Sequence, residues 1–179
     1  MSPVLPPIRR IVTADDAEGR SHVVQDGPSP AVREVPERPG YRVTNVWRTL
    51  DSPAPIGAAD SIAEHVGISP PPRGTVVRII DFPPEAADPQ ERRRALHATF
   101  SSLYGDAAHD KAHQAHPGMH RTRSVDYAIV IEGEIVAILD KEETVMRAGD
   151  ILIQRGTNHA WANRSAAPCR IAFILIDGA

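Results

Sequence analysis

Four polar residues recur at every second position where a long apolar segment of the C-terminal half begins. They are His120, Thr122, Ser124 and Asp126. Because neighbouring side chains of a β-strand point to opposite faces, all four are expected on one face of a strand. Both faces become apolar further along, so this strand runs into a buried region. A water-filled or ligand-filled barrel mouth explains the pattern, and a solvated edge strand is the alternative.

A second segment, from Gly149 to Asn163, holds another candidate for chemistry. Its pattern predicts a strand, a glycine turn at Gly156 and a new strand on which His159 and Trp161 share one face. An imidazole can bind a metal or move a proton near neutral pH, and an indole offers an apolar surface. We therefore interpret His159 as a pocket residue and Trp161 as part of the pocket wall.

The spacing within this segment resembles the second motif of the cupin superfamily. That motif runs glycine, a short apolar strand, proline, any residue, glycine, two residues, histidine, three residues and asparagine. The chain matches it at Gly149, Gly156, His159 and Asn163, with Gln154 in the position of the proline and a strand spacer one residue shorter.

The first cupin motif is present in a degenerate form. It runs histidine, any residue, histidine, a few residues, glutamate, six residues and glycine. His120 matches the first histidine and Gly133 the glycine, whereas Thr122 replaces the second histidine and Asp126 the glutamate. The resemblance implies a small barrel of the kind found widely in bacteria and fungi.

In cupins the motif residues hold a divalent metal, so the resemblance implies that His120, Asp126 and His159 are metal ligands and candidate catalytic residues. Two imidazoles and one carboxylate suit Fe(II), Mn(II) or Zn(II) and leave coordination positions open for a substrate. Thr122 is a poor ligand for these metals. Some cupins have lost the metal, and a metal-free site is the alternative.

Further residues are candidates for binding a substrate beside this set. The candidates are Thr122, Ser124, Gln154, Trp161 and His116. The segment from Gly105 to Gly118 also contains His109 and His113, and its polar, alanine-rich composition predicts a lid over the barrel mouth. Helical spacing of these histidines is a rival metal set, but Pro117 and Gly118 interrupt any helix before His120.

The elements that must position these residues are mainly strands. We expect an all-β fold: a single cupin β-barrel, or jelly-roll, with an N-terminal strand arm and one short helix. The arm covers residues 1–73, and the barrel covers residues 74–179 with an insertion at 89–118. Asp88 and Pro89 favour the start of a helix that ends at Leu103. The Pro-rich arm includes strand candidates at Ile8–Gln25 and Tyr41–Thr49, and we expect one or the other of these segments to extend a partner's sheet in a homodimer.

Composition excludes several classes of protein. The 179 residues carry a formal net charge of −3, without a basic face for nucleic acid. No segment has the length of apolar sequence that a membrane span or a signal peptide needs, and the single Cys169 cannot form an internal disulfide. We therefore expect a cytoplasmic protein that binds neither nucleic acid nor membrane.

The candidate pocket predicts small-molecule chemistry. Our first hypothesis is a metal-dependent lyase or isomerase that acts by decarboxylation, dehydration or enol chemistry on a small organic or aromatic acid. The second is an Fe(II) dioxygenase with a two-histidine, one-carboxylate site. The third is a cupin that binds a small molecule without catalysis.

Overall fold

The structure is a computed structural model and describes residues 4–109 and 116–179. Its described part contains thirteen strands, one α-helix and a 3-10 turn at Ile62–Glu64. The strands are β1 (Arg9–Asp15), β2 (Ser21–Pro28), β3 (Ala31–Glu34), β4 (Arg42–Thr49), β5 (Thr75–Phe82), β6 (Ala108–His109), β7 (His120–Arg121), β8 (Ser124–Glu132), β9 (Glu134–Leu139), β10 (Glu143–Arg147), β11 (Ile151–Arg155), β12 (His159–Ala162) and β13 (Cys169–Asp177), and the helix α1 is Pro89–Leu103.

Two antiparallel sheets build the barrel. One has six strands in the order β11-β8-β13-β5-β4-β3, and the other has five in the order β10-β9-β12-β7-β6. Strands β1 and β2 form a separate hairpin. The expected all-β architecture with one short helix is confirmed for the described residues.

The strand that we predicted to run on from His120 is broken into two. His120 lies on β7 in the five-stranded sheet, whereas Ser124 begins β8 in the six-stranded sheet. Thr122 lies in the connection between them. The alternation nevertheless persists through the break, because His120, Thr122, Ser124 and Asp126 are all buried. The edge-strand alternative is therefore wrong: the polar face is turned into the barrel.

Helix α1 begins and ends where its sequence predicts. The side chain of Asp88 accepts a hydrogen bond from the Gln90 N–H at 3.0 Å, and Pro89 occupies the first turn, where it has no N–H to leave unpaired. Leu96 and Phe100 are buried, one turn apart, because they face the barrel. No helix within the described ranges is long and apolar enough to cross a membrane.

Part of the N-terminal arm belongs to the barrel itself. Strand β4 pairs with β5 on one side and with β3 on the other. Since both its edges are paired within the chain, the expectation that Tyr41–Thr49 extends a partner's sheet is wrong. The hairpin of β1 and β2 exposes Ile11, Val23 and Val24. A homodimer in which this hairpin extends the partner's sheet stays a prediction.

A buried ionic cluster joins three neighbouring strands to the start of the chain. Asp81 on β5 lies between Arg42 on β4 and Arg170 on β13 in the strand register. Its carboxylate accepts from Arg42 Nη2 at 2.6 Å and from Arg170 Nε at 2.6 Å. Both guanidinium groups also donate to the carbonyl oxygen of Pro6, at 3.1 Å and 2.7 Å. One carboxylate therefore holds two cations in place, and these two cations bind the N-terminal segment.

Replacing Asp81 should destabilise the fold strongly. Asp81→Ala leaves two largely buried guanidinium groups without their carboxylate, and removing one partner of a buried ion pair typically costs about 3–5 kcal/mol. We expect the free energy of unfolding, measured by urea denaturation, to fall by about that amount. Asp26→Ala, which breaks the exposed pair with Arg9 on the hairpin, is the matched control and should change it little. Equal effects of the two substitutions would contradict the structural role of the cluster.

Candidate functional site

A cavity of about 60 Å³ lies inside the barrel. One water needs roughly 10–15 Å³ of such volume, so the cavity has room for several waters or part of a small organic molecule. Its wall includes His120, Thr122, Asp126, His159 and Trp161. The C-terminal residues predicted from their spacing thus meet around one space.

His120 and His159 form the centre of the site. They are direct partners across the antiparallel pair of β7 and β12, and their ring centroids are 4.3 Å apart. Nδ1 of His120 lies 2.9 Å from the Gly118 carbonyl oxygen, and Nδ1 of His159 lies 3.0 Å from the Thr157 carbonyl oxygen. A carbonyl oxygen can only accept, so each Nδ1 carries the hydrogen and each neutral ring keeps an unprotonated Nε2.

Burial keeps both imidazoles neutral. Desolvation lowers the pKa of His120 to about 3, and the neighbouring His159 ring adds to this effect. Desolvation likewise lowers the pKa of His159 to about 4. At neutral pH the site therefore presents two adjacent imidazoles, each with a lone pair at Nε2 that can accept a proton or a hydrogen bond.

Asp126 supplies an acid to the same cavity. Its carboxyl group is buried, and its Oδ1 has no hydrogen-bond partner among the described residues. Desolvation raises the pKa of Asp126 to about 6, although Ser124, Arg78 and Thr122 act in the opposite direction. A carboxyl group with such a pKa can both hold and release a proton near neutral pH.

The three predicted metal ligands line the cavity without forming a metal site. No three His, Cys, Asp or Glu side chains within residues 4–109 and 116–179 are grouped so that they could hold a metal ion. Asp126 is on the six-stranded sheet, whereas both histidines are on the five-stranded sheet. The set of His120, Asp126 and His159 as ligands of Fe, Mn or Zn stays a prediction.

The predicted substrate-binding residues divide into two groups. Thr122 and Trp161 line the cavity, and the Trp161 ring packs edge-on against His159 with centroids 5.8 Å apart. Ser124 stands behind this surface and donates to the Thr122 hydroxyl oxygen at 2.9 Å. It orients Thr122, and it is not part of the wall around the cavity.

Gln154 and His116 have structural roles instead of the predicted contacts with substrate. The Gln154 amide donates to the Thr157 carbonyl oxygen at 2.9 Å, so it closes the glycine turn before His159. His116 Nδ1 accepts from the Gly118 N–H at 3.1 Å, and its Nε2 lies 2.9 Å from Glu85 Oε1. Neither side chain lines the cavity. Both predictions were based on position near the barrel rim, which does not determine where a side chain finds its partners.

The predicted lid falls partly outside the described residues. His113 and its neighbours at 110–115 are among those that the structure leaves undescribed. Among the described residues of this segment, His109 pairs with His120 in the sheet, and the His109 ring stacks on Phe100 with centroids 3.8 Å apart. Helix α1, which we predicted only as part of an insertion, closes the cavity with Leu96, Thr99 and Phe100.

The part of the chain that precedes His120 contributes cavity residues that the sequence analysis missed. Arg38, Tyr41, Arg78 and Tyr104 all line the cavity. The hydroxyl oxygens of the two tyrosines are 2.8 Å apart, and desolvation raises the pKa of both. Arg78 could have been recognised from the sequence, because it is a charged residue on the same face as Val76 and Ile80 in an apolar strand.

Comparisons with known proteins find a resemblance to cupins in the C-terminal part of the chain. The family model of the cupin domain, Cupin_2, matches residues 107–176. This part of the chain is similar to cupin domains. A solved "Cupin 2 conserved barrel domain protein" from Salinispora arenicola is 10% identical, with a TM-score of 0.41 over 80% of this chain and 82% of that chain.

Fungal relatives align with different parts of the chain. "Phomopsin biosynthesis cluster protein C'" of Diaporthe leptostromiformis is 48% identical over 61 residues, which are 33% of this chain and 32% of that protein. The chain thus matches about a third of the length of this relative. The "Cupin-domain-containing oxidoreductase fogC" of Aspergillus ruber is 29% identical over 176 residues, which cover 94% of this chain and 71% of that protein.

The buried histidines should make stability depend on pH. An unfolded chain takes up protons near the usual histidine pKa of about 6.5, whereas folded His120 and His159 resist protonation down to pKa values of about 3 and about 4. Their contribution is thus complete above pH 6.5 and is lost as the pH falls towards 4, by at most roughly 1.4 kcal/mol per pH unit for each group. His159→Gln should flatten this part of the curve of unfolding free energy against pH.

The contribution of Asp126 to stability changes with pH in the opposite direction, because its pKa of about 6 is higher than in an unfolded chain. Its contribution is present at low pH and is lost as the pH rises through 6. Asp126→Asn should therefore steepen the same curve. His22→Gln, on the exposed hairpin, is the control for the histidine substitution. Parallel curves for wild type and His159→Gln between pH 4 and 6.5 would show that His159 is not held neutral by burial.

Proposed function

We propose that the chain is a cupin enzyme that transfers protons on a small organic acid held in the barrel, by isomerase-type or lyase-type chemistry. The observation that supports this most directly is the composition of the cavity wall. It combines one buried acid, Asp126, with the two neutral imidazoles of His120 and His159. An acid and a base that face the same small space can act on two atoms of one substrate.

The reaction begins when Nε2 of one histidine accepts a proton from a carbon next to a substrate carbonyl group. The electron pair of the broken C–H bond forms the C=C bond of an enol, and the carbonyl oxygen takes the proton of Asp126. In a substrate whose next C–C bond is a double bond, this intermediate is a dienol. The imidazolium then gives its proton to the far (γ) carbon, the remaining C=C bond shifts into conjugation with the re-formed carbonyl group, and the enol hydroxyl returns its proton to Asp126. The substrate is isomerised, both residues are restored, and no oxidant is consumed.

The surroundings of the three groups suit this cycle. The Nδ1 hydrogen bonds of both histidines to carbonyl oxygens fix the tautomer in which Nε2 is the base. Phe100 packs edge-on against His120 with ring centroids 5.0 Å apart, and it lines the cavity with Trp161. Such walls exclude water and strengthen the electrostatic interactions between substrate and catalytic groups.

The relatives support a cupin enzyme in general, and they favour a second candidate reaction. Several that align with most of this chain are named cupin-domain-containing oxidoreductases, among them fogC at 94% coverage of this chain. An oxidoreductase related to the Fe(II) dioxygenase hypothesis would need a redox metal or another oxidant. We place proton transfer first because the acid and the two imidazoles that it needs all line one cavity.

Proton transfer can be tested before the natural substrate is known. Wild-type protein in D2O should exchange the hydrogens next to the carbonyl group of 2-oxobutanoate or phenylpyruvate, as followed by proton NMR. Asp126→Asn should slow the catalysed exchange about 100-fold or more, the usual contribution of a general acid or base. Glu142→Gln, in an exposed turn, is the control and should match wild type.

The same samples separate the two candidate reactions. Proton transfer should proceed without oxygen and in the presence of a chelator. If turnover of the 2-oxo acids occurs only with added Fe(II) and is accompanied by oxygen uptake, the oxidoreductase candidate replaces the isomerase or lyase. If Asp126→Asn exchanges as fast as wild type, Asp126 is not the acid of the reaction.

A further inference from the structure

Arg78 is a cation inside the barrel. It lies on the inner face of β5 and is only 1% exposed. Val76 and Ile80, its neighbours on that face, are buried apolar residues. Burying a charge is costly unless it is paired, so its partners decide what the residue does there.

Every hydrogen-bond partner of Arg78 is uncharged. Nη2 donates to the Ile68 carbonyl oxygen at 3.0 Å and to the Gly67 carbonyl oxygen at 3.3 Å. It also lies 2.9 Å from Nε2 of His65, whose pKa burial and the charge of Arg78 lower to about 4. These contacts fix the guanidinium group without a directly bonded carboxylate, and its charge acts at longer range on Asp126, whose pKa it lowers.

The guanidinium group also keeps a donor free. Nε of Arg78 is buried without a hydrogen-bond partner, and the residue lines the central cavity. No carboxylate of the described part of the chain forms an ion pair with it. A site with a fixed buried charge and an unused donor is built for an anion that comes from outside the chain.

Two more groups at the same end of the cavity favour an anion. Arg38 lies over the Tyr41 ring at 4.2 Å from its centroid, and its guanidinium group has no hydrogen bond or ion pair with the described residues. The hydroxyl groups of Tyr41 and Tyr104 are bonded to each other. Only one of the two hydrogens can lie between the oxygens, so the other hydroxyl can donate into the cavity.

We propose that Arg78, with Arg38 and the tyrosine pair, binds the carboxylate group of the substrate. This deepens the proposed function, on which it rests for the identity of the reacting end. In the six-stranded sheet Asp126 and Arg78 lie on strands two apart, β8 and β5, with β13 between them. Neighbouring strands are about 4.8 Å apart, and the register displaces the two residues by two positions along the strands, so their Cα atoms are separated by roughly 12 Å. One small molecule can therefore present its carboxylate to Arg78 and its reacting carbon to Asp126.

Binding of simple acids tests the assignment. The probes are benzoate and propanoate, each compared with its uncharged amide at neutral pH by isothermal titration calorimetry. Wild type should bind at least one of the acids tenfold or more tightly than its amide. Arg78→Met should abolish this preference, and Arg78→Lys should retain part of it because the charge remains. Arg155→Met, at an exposed guanidinium group on the barrel rim, is the matched control and should keep the full preference.

If the folded yield of Arg78→Met is low, a second variant takes its place in the test. Arg38→Met, which leaves the contacts of Arg78 intact, should reduce the preference for the acid several-fold. Equal affinity for acid and amide in wild type, no measurable binding of either acid, or an unchanged preference in both arginine variants would overturn the proposal. The variant Asp126→Asn distinguishes the anion site from the proposed reaction. If this variant still prefers the acid to its amide, the anion site is supported, even if wild type does not catalyse proton exchange.

Discussion

The burial of charged and polar groups inside the barrel is the constraint on which the rest of the structure depends. Arg78 can lie in the interior only because the backbone around Gly67 and Ile68 turns two carbonyl oxygens towards it and His65 stays neutral. On the opposite face of β5, Asp81 compensates two further arginines. The loop that follows β4 is thus shaped by a side chain of β5, and the cavity takes its positive end from the same residue.

The two ends of the cavity are electrostatically different, and this difference gives the site a direction. Desolvation keeps the histidine pair neutral and raises the pKa of Asp126 to about 6. The arginines remain cationic because a guanidinium group cannot lose its proton in a protein. An anionic ligand therefore binds at one end of the cavity, and the groups that exchange protons lie at the other end. The apolar walls between the ends keep both effects strong by excluding water.

Helix α1 links the site to the edge of the five-stranded sheet. Phe100 stacks on His109 and contacts His120 edge-on, so one aromatic side chain connects the helix to two histidines on paired strands. Tyr104, at the end of the same helix, joins the tyrosine pair at the positive end. A shift of the helix would thus alter both ends of the cavity together.

Local patterns in the sequence determined much of the fold. Alternation predicted that His120, Thr122, Ser124 and Asp126 share one face, and Asp88 and Pro89 predicted the start of α1, because both predictions depend on the geometry of consecutive residues. The spacing of Gly149, Gly156, His159 and Asn163 indicated the resemblance to cupins, and the Cupin_2 family model matches this part of the chain.

Only the tertiary structure decided how these pieces make a site. It divided the predicted strand at Thr122 between two sheets, which separated Asp126 from the histidine pair. It also brought Arg38, Tyr41 and Arg78 to the C-terminal residues through the pairing of β4, β5 and β13. Such contacts join residues far apart in the chain, and no local period encodes them. The hydrogen bonds that assign Gln154 to a turn and the histidines to one tautomer likewise arise when the backbone is folded.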